Sequence, residues 1–394
     1  MKKIFVVLLM IICFCVPCLS ACSCSDFIAT GLIFKLNKDK TAYTVTGLSH
    51  YPNVALELKI PEKYEGKPVT AIGAGAFYEI DEIISVEIPD SVTSIGWGAF
   101  EYCVDLQKVV LPNKLSKIAP DTFKNCYDLY DITIPSSVKR IEECAFMGCR
   151  NIGNLMIPNS VTYIGMDVFE SNISNFPYNS NGGVCYYGTA KNPYMVASHA
   201  TSENKDIEIN EKCKVINSDF YWDYRNYLET ITLPEGLQEI GHFAFYSCKK
   251  LKSISFPESL KFIGRNAFYQ CELLEEVIIP DAVERIYEET FQKCTALKNI
   301  VFGSGVKSIY VCAFSYCPNI VTVEFKHKEN WYFNPTMYGS DDPELNDSLI
   351  KLTSDKFETV EKCTEVFLRY LHYQPQSNTT FQYMRFIVIE ANWN

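Results

Sequence analysis

Residues 126–149 read Cys126-Tyr127-Asp128-Leu129-Tyr130-Asp131-Ile132-Thr133-Ile134-Pro135-Ser136-Ser137-Val138-Lys139-Arg140-Ile141-Glu142-Glu143-Cys144-Ala145-Phe146-Met147-Gly148-Cys149, one full period of the chain and the first residue of the next. The same spacing of 23 recurs on both sides. Prolines fall at Pro89, Pro112, Pro135 and Pro158, then at Pro234, Pro257 and Pro280, with Gly303 next in phase. Phenylalanines fall at Phe77, Phe100, Phe123, Phe146 and Phe169, then at Phe245, Phe268, Phe291 and Phe314. Three residues after them stand Cys103, Cys126, Cys149, Cys248, Cys271, Cys294 and Cys317. Three columns sharing one period in this size range define a solenoid, in which each unit buries its apolar face only against its neighbours. Function is then expected on an extended surface rather than in an enclosed pocket.

Within the period, Leu129-x-x-Ile132-x-Ile134 is β-rich and alternates at its end, so it reads as a strand. Pro135 ends it, because proline cannot donate to a ladder. Ser137-Val138-x-x-Ile141 turns back as a second extended piece. Ala145-Phe146-x-x-Cys149 fits one helical or 3-10 turn that drops its Phe and Cys inward. One strand per coil stacks into a parallel sheet along the solenoid. Leu129, Ile132, Ile134, Val138, Ile141, Phe146 and Cys149 are the expected core.

The stretch Ile88-Pro89-Asp90-Ser91-Val92-Thr93-Ser94-Ile95-Gly96-Trp97-Gly98-Ala99-Phe100 resembles the leucine-rich repeats of BspA-type bacterial surface proteins nearly residue for residue. The resemblance covers residues 30–325. It implies a right-handed leucine-rich-repeat coil, with a parallel β-sheet on one face and short helical or 3-10 turns elsewhere. It also implies adhesion to host matrix proteins, other cells or surfaces. Fold-level likeness specifies function far less than fold.

The chain opens Met1-Lys2-Lys3, continues through an apolar run from Ile4 to Val16 and reaches Leu19-Ser20-Ala21-Cys22. A charged start, a short apolar run and small residues describe a secretory signal peptide. The run is shorter than the ~20 residues a permanent membrane helix needs. The ending resembles the lipobox of bacterial lipoproteins, which implies a diacylglyceryl group on Cys22. The alternative is ordinary cleavage near Ala21 and release. The rest of the chain divides into a tether at 22–30, an N-terminal β cap at 31–70, repeats at 71–173, an insertion hairpin at 174–208, repeats at 209–325, and a C-terminal cap and tail at 326–394. The signal occupies 1–21. In the insertion, Asn181-Gly182-Gly183 followed by Val184-Cys185-Tyr186-Tyr187 reads as a hairpin projecting from the array.

Net charge is −11, an acidic balance that repels polyphosphate and argues against nucleic-acid partners. Of the 17 cysteines, Cys13, Cys15, Cys18, Cys22 and Cys24 lie in or beside the signal. Seven form the column, and Cys144, Cys185, Cys213, Cys312 and Cys363 stand off it. A residue at one fixed place in every coil meets the same environment each time. The column therefore reads as buried thiols packing as small hydrophobes. A coil spacing of ~4.8 Å also leaves disulfides between neighbours geometrically open. Cys144 and Cys312 read as exposed thiols.

No nucleophile elbow, zinc helix or phosphate loop occurs, so neither a catalytic site nor a cofactor is expected. Cys363 with His372 is the nearest thing to a catalytic pair, and their spacing places them on unrelated helix faces. Two surfaces are candidates for binding. One is the outward stripe of the sheet, Glu87, Val110, Thr133, Met156, Thr232, Ser255, Ile278, Val301 and Glu324. The other is the tyrosine-rich insertion, with Phe176, Tyr178, Tyr186, Tyr187 and Tyr194. Aromatics bury large areas at interfaces for little entropy lost. The expected partner is a protein or glycan, with the membrane reached only through the lipid. The competing expectation is an envelope spacer with no specific ligand.

Overall fold

The computed structural model describes residues 31–50, 54–153, 155–169, 177–326, 331–335 and 387–391. The signal, Cys22, Phe176, Cys363 and His372 lie outside them. Two compact units form: residues 1–162 with 168–176, and residues 163–167 with 177–394.

The first unit begins with an antiparallel hairpin, Leu32–Leu36 against Tyr43–Leu48. Asn37 shapes its turn, accepting the Thr41 and Ala42 amides on its side-chain oxygen at 2.8 and 3.2 Å. The hairpin's second strand then pairs in parallel with Lys67–Ile72, which pairs in parallel with Ser94–Ile95. The cap thus converts an antiparallel start into the parallel register of the coils. Each following coil contributes to a parallel sheet of Leu56–Lys59, Ile83–Glu87, Lys108–Val110 and Asp131–Ile132. A second strip follows each proline, as in Lys117–Ile118 paired with Arg140–Ile141. A third is made by the phenylalanine turns, whose amides reach the next coil: Phe77 to Ala99, Phe100 to Thr122 and Phe123 to Ala145, at 2.8–2.9 Å. All seven core residues expected between Leu129 and Cys149 are buried.

The phenylalanines stack face to face down the core. In the first unit Phe77, Phe100, Phe123, Phe146 and Phe169 follow one another at 5.1–5.6 Å between ring centres. Phe245, Phe268, Phe291 and Phe314 do so in the second, at 5.2–5.4 Å. The cysteine column is buried beside them. Six of the seven thiols also donate to a carbonyl of the preceding coil. Cys103, Cys126 and Cys149 donate to the carbonyls of Phe77, Phe100 and Phe123, and Cys271, Cys294 and Cys317 to those of Phe245, Phe268 and Phe291, at 3.0–3.4 Å. These are thiol contacts, so the column is a ladder of S–H donors rather than of disulfides.

The phenylalanine turn differs from the expected helical turn. At most of these corners the residues two before and two after the Phe are left-handed: Gly98 and Tyr102 around Phe100, Asp121 and Asn125 around Phe123, Cys144 and Gly148 around Phe146. A pair of left-handed residues tightens the corner and aims the Phe ring inward. A 3-10 helix forms at Val311–Phe314.

The second unit opens with the tyrosine-rich segment, and here the structure corrects the sequence reading. Asn179–Asn181 and Val184–Tyr187 form the expected hairpin, turning through Gly182 and Gly183 at φ 58° and 81°. It does not project. Val184–Tyr187 pairs with Val196–Ala200, which runs parallel to Val215–Ile216, then to Glu239–Ile240 and Phe262–Ile263. The hairpin is therefore the first layer of the second unit's own sheet. A solenoid cannot leave the apolar end of its first coil bare, and Val184, Tyr186 and Ala197 lie in one core cluster with the coils behind them. The outer sheet of this unit pairs Asp206–Glu208 with Thr230–Thr232, and further along Glu276–Ile278 with Asn299–Phe302 and Thr322–Phe325, all in parallel. Beyond the repeats, Trp331–Pro335 pairs antiparallel with Ile387–Ala391, which pairs antiparallel with Ser308–Tyr310.

Candidate binding surface

The stripe chosen from alternation faces outward. Glu87, Val110, Thr133 and Met156 are exposed in the first unit, as are Thr232, Ser255, Ile278 and Glu324 in the second; Val301 is half-buried. Their flanking partners, such as Val109 with Leu111 and Val277 with Ile279, are buried. Parallel strand register joins the stripe within each unit: Glu87 opposes Val110, and Ile278 opposes Val301, which opposes Glu324. Apolar members carry real exposure, at 45% for Val110, 68% for Met156 and 50% for Ile278.

Two exposed apolar side chains beside the stripe escape the sequence reading, Tyr130 in the first unit and Val321 in the second. Both directly precede the strand residues whose outward turn alternation predicts, so continuing the alternation one strand position earlier does not find them. The flank is otherwise charged and paired from coil to coil. Lys108 meets Asp131 at 2.8 Å; Glu229 holds Lys205 and Lys252 at 3.5 and 2.9 Å; Glu275 meets Lys298 at 3.1 Å. Exposed pairs of this kind contribute ~0–1 kcal/mol each, and their effect here is to favour one register between neighbouring coils.

The tyrosines of the insertion divide. Tyr186 and Tyr187 are fully buried, which withdraws both from any contact surface. Tyr186 accepts the Asn210 amide at 3.1 Å, and burial pushes its hydroxyl up to about 12. Tyr187 donates to Asn217 at 3.3 Å. Tyr194 is half-buried, edge-on to Tyr186 at 5.4 Å. Tyr178 stands edge-on to His199 at 5.6 Å. An aromatic-rich segment in a repeat protein serves here as a core cap.

A second aromatic row lies at the phenylalanine corner of the second unit. Trp222 packs on Tyr246 at 5.3 Å, and Tyr246 stacks on Tyr269 at 4.7 Å. Arg225 covers Trp222 at 4.7 Å and Lys293 covers Tyr269 at 5.0 Å. The ring faces are used within the row, so it offers edges rather than a stacking platform. Among the described residues no group of three or more His, Cys, Asp or Glu side chains could hold a metal ion. Among them too, no helix is long and apolar enough to cross a membrane.

Six copies of the BspA type leucine rich repeat region match residues 60–182 and 214–336. That is more than half of the chain, and the protein belongs to the BspA-type leucine-rich-repeat family. Among solved structures it is similar to a leucine-rich repeat protein from Bacteroides ovatus, at 24% identity over 74% of this chain and 92% of that one, TM-score 0.39. A leucine rich cell surface protein from Faecalibacterium prausnitzii gives 23% identity over 83% and 97%, TM-score 0.37. The pneumococcal vaccine antigen PcpA gives 23% over 71% and 81%, TM-score 0.35. The family assignment rests on the repeat match. No curated protein matches the chain.

Proposed function

We propose that the protein is held outside the cytoplasm by a lipid on Cys22 and binds a protein or glycan along the exposed stripe of its outer sheet. One observation carries the reading. Val110, Met156 and Ile278 are large apolar side chains left well exposed at a register position whose neighbours on both sides are core. A rigid sheet sets successive positions of the stripe ~4.8 Å apart and leaves little entropy to lose on binding. The partner is a macromolecule, because the stripe is open and extended. Support for the anchor is the Leu19-Ser20-Ala21-Cys22 sequence. An adhesive role is the family expectation that fits this surface.

The test is capture from matrix proteins, glycans and whole-cell surfaces with residues 26–394. A saturable partner, competed by untagged protein and lost on charge substitution at Val110 and Met156, supports the reading. The spacer reading draws on the self-paired charges of the flank. It predicts a folded protein that captures nothing across the panel. Metabolic labelling with a radioactive fatty acid, present in the wild type and lost in Cys22→Ala, tests the anchor separately.

A further inference from the structure

The second unit contains a hydrogen-bonded seam that its outer sheet does not use. Asp167 accepts both the amide and the hydroxyl of Ser218, at 2.9 and 2.6 Å. The Ser218 hydroxyl accepts the His242 amide at 3.0 Å. The Nδ1 of His242 accepts the Arg265 amide at 2.9 Å. Asn217 joins from the side, accepting the Asp167 amide at 3.1 Å and the Tyr187 hydroxyl at 3.3 Å. These groups come from successive coils and from the tyrosine cap, so the seam ties the cap end of the unit together. His199 lies on the cap strand Val196–Ala200, with Nδ1 3.1 Å from the Ser198 hydroxyl and its ring edge-on to Tyr178.

We propose that His242 and His199 make the cap end of the second unit acid-sensitive, protonation of either ring loosening the layer that it anchors. For His242 the reason is geometric. An Nδ1 that accepts an amide hydrogen cannot also carry a proton, so the imidazolium confronts the Arg265 amide donor to donor. For His199 the reason is the placing of a charge on a half-buried ring packed against Tyr178.

The charged surroundings set the sign. Burial holds His242 below the usual histidine range; Arg265 lowers it further and Asp167 opposes. Arg265 is itself paired with Glu288 at 3.2 Å. Burial likewise lowers His199, with Asp223 opposing. Both rings are therefore neutral in the folded protein where the unfolded chain already binds protons. Their contribution is complete above the unfolded value of ~6.5 and is lost as pH falls from there through the folded values. Asp219, raised by partial burial and by Asp167, has the opposite sign: it takes up its proton more readily in the folded protein and so opposes the histidines as pH falls.

Hydrogen exchange of the full chain, corrected for its intrinsic pH dependence and read by mass spectrometry between about pH 7 and about pH 5, tests the proposal. The expected result is an opening constant for residues 184–200 and 240–265 that rises by up to ~tenfold per pH unit for each proton taken up. Residues 83–118 of the first unit should not respond. His242→Asn keeps an acceptor at the Nδ1 position and removes the titration, so it should flatten the response around 240–265. His199→Gln should flatten the remainder. Ser218→Ala breaks the seam at the His242 amide but leaves both titrating rings in place, so it should raise exchange at every pH and keep the slope. A wild-type response shared equally by both units overturns the proposal. So does a wild-type slope surviving in the double histidine variant, or a slope abolished by Ser218→Ala alone.

Discussion

The carbonyl oxygen of Phe100 accepts two hydrogen bonds, from the amide of Cys103 in its own turn at 3.2 Å and from the thiol of Cys126 in the next coil at 3.1 Å. The same arrangement recurs at Phe123 with Cys126 and Cys149, and at Phe268 and Phe291 in the second unit. One side chain thus closes its own corner through its backbone and stitches the previous coil through its sulfur. Cys126→Ala removes the stitch and leaves a small void beside stacked rings. Loss of a modest hydrogen bond and a buried group should cost about 1–3 kcal/mol, read as a lower urea midpoint. Cys126→Ser keeps a donor aimed at the same oxygen and should lose less than Cys126→Ala.

Burial also sets thiol chemistry. Desolvation pushes Cys103 up to about 12, far from the thiolate needed for reaction. Alkylation of the folded protein should therefore spare Cys103, Cys126, Cys149, Cys248, Cys271, Cys294 and Cys317, which become reactive only in denaturant. The half-buried Cys144 should label first among the described cysteines. Mass-spectrometric mapping of modified peptides, with and without urea, checks this; rapid labelling of the column in the native state would contradict the ladder.

The left-handed corner predicts a stabilising change. Cys144 sits at φ 53° where the equivalent residue of another coil is Gly98, at φ 58°. A side chain in this region costs ~1–2 kcal/mol that glycine does not. Cys144→Gly should raise the unfolding midpoint, offset in part by the greater freedom of the unfolded chain. Gly98→Ala should lower it, since its Cβ would also lie 3.1 Å from the Glu101 carboxylate. Parallel thermal melts of the two variants decide the sign.

How far the sequence carries depends on what repeats. Leu129, Ile132, Ile134 and Val138 recur in phase, so their burial and the outward turn of Thr133 were legible from alternation alone. The corner was not, because its left-handed positions hold Gly, Asp, Cys, Tyr and Asn in different coils, and a backbone requirement met by unlike residues leaves no column to read. Gly75, Gly98 and Gly148 were its only trace. The insertion misled for another reason. Hairpin chemistry at Gly182-Gly183 is local and was read correctly, whereas the burial of Tyr186 depends on an apolar coil end supplied by residues far along the chain. The coil-to-coil ion pairs, such as Glu275 with Lys298, become visible only once the period is applied to the charges.

That burial makes the tyrosine cap a stability element. Tyr186→Ala should cost about 3–5 kcal/mol by loss of a large buried ring. Tyr186→Phe keeps the ring but orphans the Asn210 amide, and should cost about 1–3 kcal/mol. Hydrogen exchange should show both losses concentrated in the second unit, with residues 83–118 of the first unchanged. Equal wild-type stability in Tyr186→Ala would mean the ring closes nothing.

The stripe makes the opposite prediction, a change in binding without a change in fold. Val110, Met156 and Ile278 are exposed, so Val110→Asp, Met156→Asp and Ile278→Lys should each shift stability by no more than about 0.5 kcal/mol. If these side chains form the centre of an interface, each should weaken capture of the partner by roughly fivefold or more, since truncating a central contact typically costs above ~1 kcal/mol. Substitutions in the first unit that abolish capture while Ile278→Lys leaves it intact would confine the partner to the face around Val110, Tyr130 and Met156. The reverse result would assign it to the second unit. Melting curves superimposable with wild type are the control that turns a loss of capture into a statement about the surface, and unaltered capture by all three variants would remove the stripe as the binding site.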